Sequence, residues 1–354
     1  MIKISIAKKE MSPYITASLR ITIAVLGLLI AIVIASLIFK QDPTITLELL
    51  VNSFLDLNIF RYVSVFLPTA LGLIIVYSAG LWNLGAEGQI VVGAMGAAFV
   101  ALFTPLGTIE YLGIVTSLLF ASVVGAIWSL IAIELKMCFG INEALSTLMM
   151  NYIAYYLIDY LVYGPWRGRS VYGYPETDMI PTQCRLQRVA GYSFSLYPIL
   201  ASLLLVVVIY LFLYRTRIGN SMRALSSSFR AVELSGVSST KLAILSFMLS
   251  GALAGFAGGV EVLVYHRKLV PGVKIGAGMG YTSIIVAWLS SLNPIAILLS
   301  SYYVSGLYIF SLAIQIGSIN VGDAIARIVI GTIFLLTIVS EFLTRYRVVV
   351  RFVK

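Results

Sequence analysis

Long apolar blocks separated by short polar segments run along almost the whole chain. Largely uncharged blocks of about twenty residues have the length that crosses a hydrocarbon core as an α-helix. They place helices near 18–39, 63–81, 87–104, 111–134, 142–163, 194–214, 241–264, 280–292, 295–317 and 324–343. The apolar runs are continuous and do not alternate, which argues against a membrane β-barrel. The expected fold class is all-α: a polytopic membrane protein of about ten transmembrane helices, with a single transmembrane domain over 1–354.

The most informative break is Leu81-Trp82-Asn83-Leu84-Gly85-Ala86-Glu87-Gly88-Gln89. Here a carboxylate, two amides and an indole lie between two apolar blocks. Facing lipid, such groups cost several kcal/mol each, by order of magnitude. They therefore belong at a membrane surface or inside a helix bundle. Two glycines three apart let the backbone turn and bare N–H groups at the start of the next helix. Transporters build binding sites from interrupted helices of this kind. An echo follows at Gly276-Ala277-Gly278-Met279-Gly280-Tyr281, ahead of a second apolar block. The two segments follow the second and seventh helices, an odd offset that predicts an inverted internal repeat.

Sixty per cent hydrophobic residues and 11% charged residues exclude an ordinary soluble domain. The net charge of +9 reads as basic cytoplasmic loops, with no nucleic acid as partner. The Lys and Arg distribution and the even helix count put both termini in the cytoplasm of a plasma-membrane protein. Lys3, Lys8 and Lys9 precede an apolar run too long for a signal peptide, so a retained first helix is expected. The loop 164–192 is expected outside as an ordered cap, and the loop 215–241 inside. Cys138 and Cys184 then lie on opposite sides of the membrane. Cys184 should react with an impermeant reagent and Cys138 should not.

In the inner loop, Ser226, Ser227 and Ser228 can cap a short helix from Phe229, and Gly236 can end it. Phe229, Val232 and Leu234 supply its apolar contacts. It either docks a partner or rests on lipid headgroups. Asn142 can cap the fifth helix and Glu143 complement its dipole, while Asn151 lies deeper and is expected to face the interior. Trp82, Tyr281 and Trp288 either stack a ring-shaped solute or anchor the interface. Asp323 and Arg327 are spaced for a helical ion pair. Asp159 and Glu261 are expected near water, and His266, the sole histidine, in a loop. Gly251, Gly255 and Gly259 allow close helix packing. There is no phosphate-binding loop, metal-ligand spacing or nucleophile motif, so no catalytic residue, metal or cofactor is expected.

The first segment resembles the N-x-G-x-E-G-Q signature of permease subunits in nucleoside and simple-sugar ABC importers. The resemblance extends through Phe139-Gly140-Ile141-Asn142-Glu143 to Asn151, Tyr160 to Trp166, and Phe247 to Gly255. It covers about residues 60 to 345. Arg223, Ala224, Ala231 and Gly236 match the coupling helix of such permeases, with Ser226, Ser228 and Phe229 replacing its Gly and Asn-Pro. The resemblance implies a transport subunit with no enzymatic activity of its own, moving nucleosides or related sugars. It implies a second homologous permease subunit, a cytoplasmic ATP-binding subunit, an extracytoplasmic lipoprotein and membrane lipid as partners. The implied substrate pathway contains Trp82, Asn83, Glu87, Gln89, Asn151, Tyr281 and Trp288. Coupling to the ATPase would involve Arg223, Phe229, Arg230, Ala231, Glu233 and Gly236. The alternatives are an ion-coupled secondary transporter, or an ABC permease for another small solute such as a branched-chain amino acid.

Overall fold

The computed structural model describes residues 42–169 and 173–317, the backbone of Ile2–Lys8 and Tyr346–Phe352, and a few isolated helical positions near both ends. The expected helices at 18–39 and 324–343, and the Asp323–Arg327 pair, fall largely or wholly outside the described residues. The chain divides into two units, Met1–Ile59 with Tyr303–Lys354, and Phe60–Tyr302.

In the first unit, β1 (Ile2–Lys8) pairs antiparallel with β2 (Tyr346–Phe352), Ile2 opposite Phe352 and Lys8 opposite Tyr346. This two-stranded ladder is an addition to the helical fold that hydrophobic periodicity did not suggest. A helix absent from the expectation also appears, α1 (Pro43–Leu55). Its start is encoded locally: Asp42 Oδ1 accepts the Thr44 N–H at 2.9 Å, and Pro43 occupies the first helical position.

The second unit holds the membrane-spanning body. Six described segments are long and apolar enough to cross a membrane. They are α2 (Ile59–Ser78), α3 (Ala86–Phe103), α4 (Leu112–Phe139), α6 (Leu196–Arg215), α9 (Ser239–Val260) with its extension to His266, and the broken pair α10 (Gly272–Gly276) and α11 (Met279–Leu289). Between them lie α5 (Glu143–Tyr163), α7 (Arg217–Leu225) and α8 (Phe229–Leu234); α12 (Ile297–Gly317) begins in this unit, and its residues from Tyr303 onward belong to the first. The helix α5 is 21 residues long, but five tyrosines, Asn151 and Asp159 lower its apolar character. The helix α4 runs to Phe139, five residues past its expected end. It stops there because Gly140, at φ 69°, turns its N–H back onto the Leu135 and Lys136 carbonyls. Asn142 then caps α5 through the Ala144 N–H at 2.9 Å, as expected.

The core is a three-helix seam of α3, α4 and α9. A Cβ on Gly251 would stand 2.3 Å from the Gly125 carbonyl oxygen, and one on Gly258 1.9 Å from that of Ile90. Only glycine admits backbones this close. Little of α4 and α6, by contrast, is buried, and their exposed side chains are largely apolar, the surface a helix presents to lipid.

Candidate functional site: a junction of two broken helices

The chain leaves α2 at Ser78, turns through Gly80 at φ 76°, and restarts as α3 at Ala86. The intervening backbone is satisfied by side chains, as buried peptide groups require. Asn83 Oδ1 accepts the Gly85 N–H at 2.8 Å. Its Nδ2 donates to Ser250 Oγ at 3.0 Å, and its amide exchanges two 3.2 Å hydrogen bonds with that of Gln89. The Leu84 N–H reaches Thr147 Oγ1 at 3.1 Å. Asn151 Oδ1 accepts the Gly88 N–H at 2.8 Å, and its Nδ2 donates to the Leu84 carbonyl and the Tyr281 hydroxyl, both at 2.9 Å. Asn83, Glu87, Gln89 and Asn151 are all buried. The break is a hydrogen-bonded structure inside the bundle, not a surface turn.

Glu87 is 0% exposed. Its Oε1 accepts the Gly278 N–H and the Tyr155 hydroxyl, each at 2.8 Å. Its Oε2 accepts the Gly280 N–H at 2.6 Å. Gly278 and Gly280 open α11, where the N–H groups have no partner within the helix. The second break is built by Ala277 and Gly278, both at positive φ. The two echoed segments therefore meet directly. A Cβ on Gly276 would lie 2.2 Å from Glu87 Oε1, and one on Gly280 2.2 Å from the Glu87 backbone nitrogen.

At one edge of the junction sits an aromatic group. Trp82, 49% exposed, stacks on Trp288 at 5.7 Å between centroids, and Tyr77 stacks on Trp288 at 5.4 Å. Glu143, expected only to complement the helix dipole, pairs with Lys136 at 2.6 Å and lies 3.4 Å from the Trp82 N–H.

Thr147, Tyr155, Ser250 and Tyr77 belong to the junction and were not singled out from the sequence. A signal existed for the first two. Thr147, Asn151 and Tyr155 are spaced four apart, so they share one face of α5.

In the 215–241 loop, α8 begins at Phe229 with Ser228 Oγ accepting the Ala231 N–H at 3.2 Å. Gly236 follows at φ 82°. Val232 is buried, whereas Phe229, Arg230, Ala231, Glu233 and Leu234 are exposed. Arg223 lies over the Tyr214 ring at 4.4 Å. The preceding helix α7 was not anticipated. At its end Ser226 abuts the first break: a Cβ on Gly80 would be 2.7 Å from the Ser226 Cα.

The described residues of the 164–192 loop are held to the segment 263–269 by hydrogen bonds. Thr177 and Ile180 donate backbone N–H groups to the Leu269 and Arg267 carbonyls at 3.0 and 2.9 Å. Arg188 Nε donates to the Val264 carbonyl at 2.8 Å, within the π-helical turn Glu261–His266. Three expectations change here. Glu261 is buried and paired with Arg61 at 2.6 Å, not set near water. His266 lies in the π-turn, its Nε2 3.6 Å from Glu261 Oε1, not in a loop. Cys184 is buried against Ser117 at 3.4 Å, so its side of the membrane cannot be read by a bulky thiol reagent. Burial also raises its thiol pKa. Burial and the nearby Arg267 charge lower the pKa values of Arg185 and Arg188.

Several membrane spans and two helices broken around a buried carboxylate define a multi-pass membrane transport protein. The chain belongs to the family described as "Branched-chain amino acid transport system / permease component", whose profile matches residues 56–338. It is similar to the glucose ABC transporter permease protein TsgB13 of Haloferax volcanii, 28% identical over 284 residues, 77% of this chain and 73% of that one. It is similar to the guanosine ABC transporter permease protein NupP of Bacillus subtilis, 28% identical over 292 residues and 81% of each chain. The nucleoside ABC transporter permease protein NupB of Lactococcus lactis is 26% identical over 241 residues, 66% of this chain and 65% of that one. No solved structure matches.

Proposed function

We propose that this permease carries a neutral, ring-shaped solute, a nucleoside or simple sugar, across the cell membrane as one subunit of an ABC importer. The observation that carries the reading is Glu87 seated on the α11 N-terminus. A bare helix N-terminus in a transporter attracts an anionic substrate group. Here the protein's own carboxylate takes the Gly278 and Gly280 N–H groups, so a substrate carboxylate has no place there. That favours a neutral solute over an amino acid, in keeping with the names of the glucose and guanosine permeases above.

In this reading Trp82, Tyr281 and Trp288 offer ring faces to the pathway. Asn83, Glu87, Gln89 and Asn151 hold the broken helices that shape it. Arg223, Phe229, Arg230, Ala231, Glu233 and Gly236 form the surface that meets a cytoplasmic ATP-binding subunit, where hydrolysis occurs. A second homologous permease completes the pathway, and an extracytoplasmic lipoprotein delivers the solute. Two permeases of Bacillus subtilis, NupP and NupQ, both carry the name guanosine permease, which fits paired subunits. The β1–β2 pairing supports two ends on one side of the membrane, which the basic residues assign to the cytoplasm. An ion-coupled carrier would want a free carboxylate in the membrane, and Glu87 is fully engaged.

The test is uptake by the assembled transporter in proteoliposomes, with guanosine, glucose and leucine as labelled solutes. ATP-dependent uptake of guanosine or glucose, without leucine, is expected. Leucine uptake, or uptake driven by a proton gradient without ATP, overturns the reading.

A further inference from the structure

A cavity of about 300 Å³ opens between α4 and α6 at the end of the bundle that carries the 164–192 loop. Its floor is apolar: Ile114 and Leu118 from α4, Ala201 from α6 and Phe256 from α9. Both flanking helices are membrane spans with largely exposed apolar surfaces, so hydrocarbon is the medium that meets this groove. Tyr111 and Tyr197 flank its mouth, at the helix ends where tyrosine sits at the headgroup level of a bilayer. The size falls at the lower end of the range for small-molecule sites.

The rim carries two opposite charges that do not meet. Arg185 and Glu110 both line the cavity, and neither has an ion-pair partner among the described residues. Arg185 uses Nε on the Ile180 carbonyl at 2.6 Å, which leaves its terminal nitrogens free of any described carboxylate. Two acids at this end of the fold are engaged by other cations, Glu261 by Arg61 and Glu176 by Lys268.

We propose that this groove binds one membrane phospholipid with an ammonium-bearing headgroup. An acyl chain fills the apolar floor, the phosphate meets Arg185, and the ammonium meets Glu110. A lipid whose headgroup carries no cation satisfies Arg185 but leaves Glu110 without an opposite charge. The pair of charges therefore selects for a zwitterion with hydrogen-bond donors. The bound lipid fills the gap between α4 and α6 beneath that loop.

Native mass spectrometry of the assembled transporter, offered equal phosphatidylethanolamine and phosphatidylglycerol with identical chains, tests this. The wild type is expected to retain phosphatidylethanolamine in preference, by about fivefold, the size of one headgroup charge contact. Glu110→Gln should abolish the preference while keeping lipid bound. Ala201→Phe should exclude both lipids, and Leu118→Trp gives the same readout from the opposite wall if the first variant misfolds. Both are checked for an unchanged melting temperature. Equal retention of the two lipids by the wild type overturns the headgroup assignment. Retention unaffected by blocking the groove in a folded variant overturns the site. So does disulfide crosslinking of Ala201→Cys to the partner permease, which would show the groove covered by protein. None of these outcomes depends on which solute is transported.

Discussion

Glu87 Oε2 accepts the Gly280 N–H at 2.6 Å, so the start of α3 is fastened to the start of α11. A carboxylate carried by the first turn of α3 caps the N–H groups at the start of α11, which would otherwise have no partner within that helix. The bond joins positions 193 residues apart in sequence. It makes the junction a single cooperative element whose loss is felt in both halves of the chain.

Replacing that carboxylate with an amide tests the element. Glu87→Gln turns one acceptor into a donor against N–H groups that need an acceptor. The cost expected for a buried partner left unpaired is about 1–3 kcal/mol. The melting temperature of the purified permease should fall, and uptake should drop several-fold while the subunit still inserts. Unchanged melting and uptake would mean that Glu87 does not hold the junction.

The glycine seam should be intolerant of a single methyl group. Gly258→Ala places a Cβ 1.9 Å from the Ile90 carbonyl oxygen, a backbone atom that cannot rotate away. Overpacking of this kind costs about 1–3 kcal/mol or more. Gly96→Ala meets the Val124 side chain at 3.1 Å and should be milder. Yields of monodisperse protein from the two variants provide the comparison, and equal yields would count against the seam.

Thiol labelling should separate the two cysteines by burial. Cys138 is exposed and Cys184 buried. In purified protein a maleimide should modify Cys138 at once and Cys184 only after denaturation. In intact cells an impermeant maleimide should leave Cys138 unmodified until the membrane is permeabilised. Immediate labelling of Cys138 from outside would invert the proposed orientation.

On the 215–241 loop, Leu234 is 83% exposed while Val232 is buried. Leu234→Asp should leave the permease folded but weaken its hold on the ATPase, seen as ATP hydrolysis uncoupled from uptake. Val232→Asp should instead lower stability. Gly80→Ala, which drives a Cβ toward the Ser226 Cα, should also uncouple, because it disturbs the contact between the loop and the first break. Normal coupling in Leu234→Asp would remove that face from the docking surface.

The sequence made the polar break at 82–89 legible because its groups have no business in hydrocarbon, and made the echo at 276–281 legible through its glycines. It did not show that the two meet, since a contact between distant helix starts leaves no local pattern. Asn142 and Ser228 were readable as caps because capping is local chemistry. Glu261 was misread because its partner, Arg61, lies 200 residues away. Tyr155 passed unnoticed among the five tyrosines of α5, although its spacing from Asn151 marked it. The helix α1 was missed because its thirteen residues are too few to register as a span.

The glycine contacts among α3, α4 and α9 also bear on how the protein can move. Backbones seated this closely have one workable registration, because a slip of one residue would bring a side chain such as Leu253 or Ala252 into the space a glycine leaves empty. Sliding of one helix along another, the shear type of transition, is therefore closed to these three. They form the rigid frame of the unit, and any rearrangement within it falls to the elements packed around them.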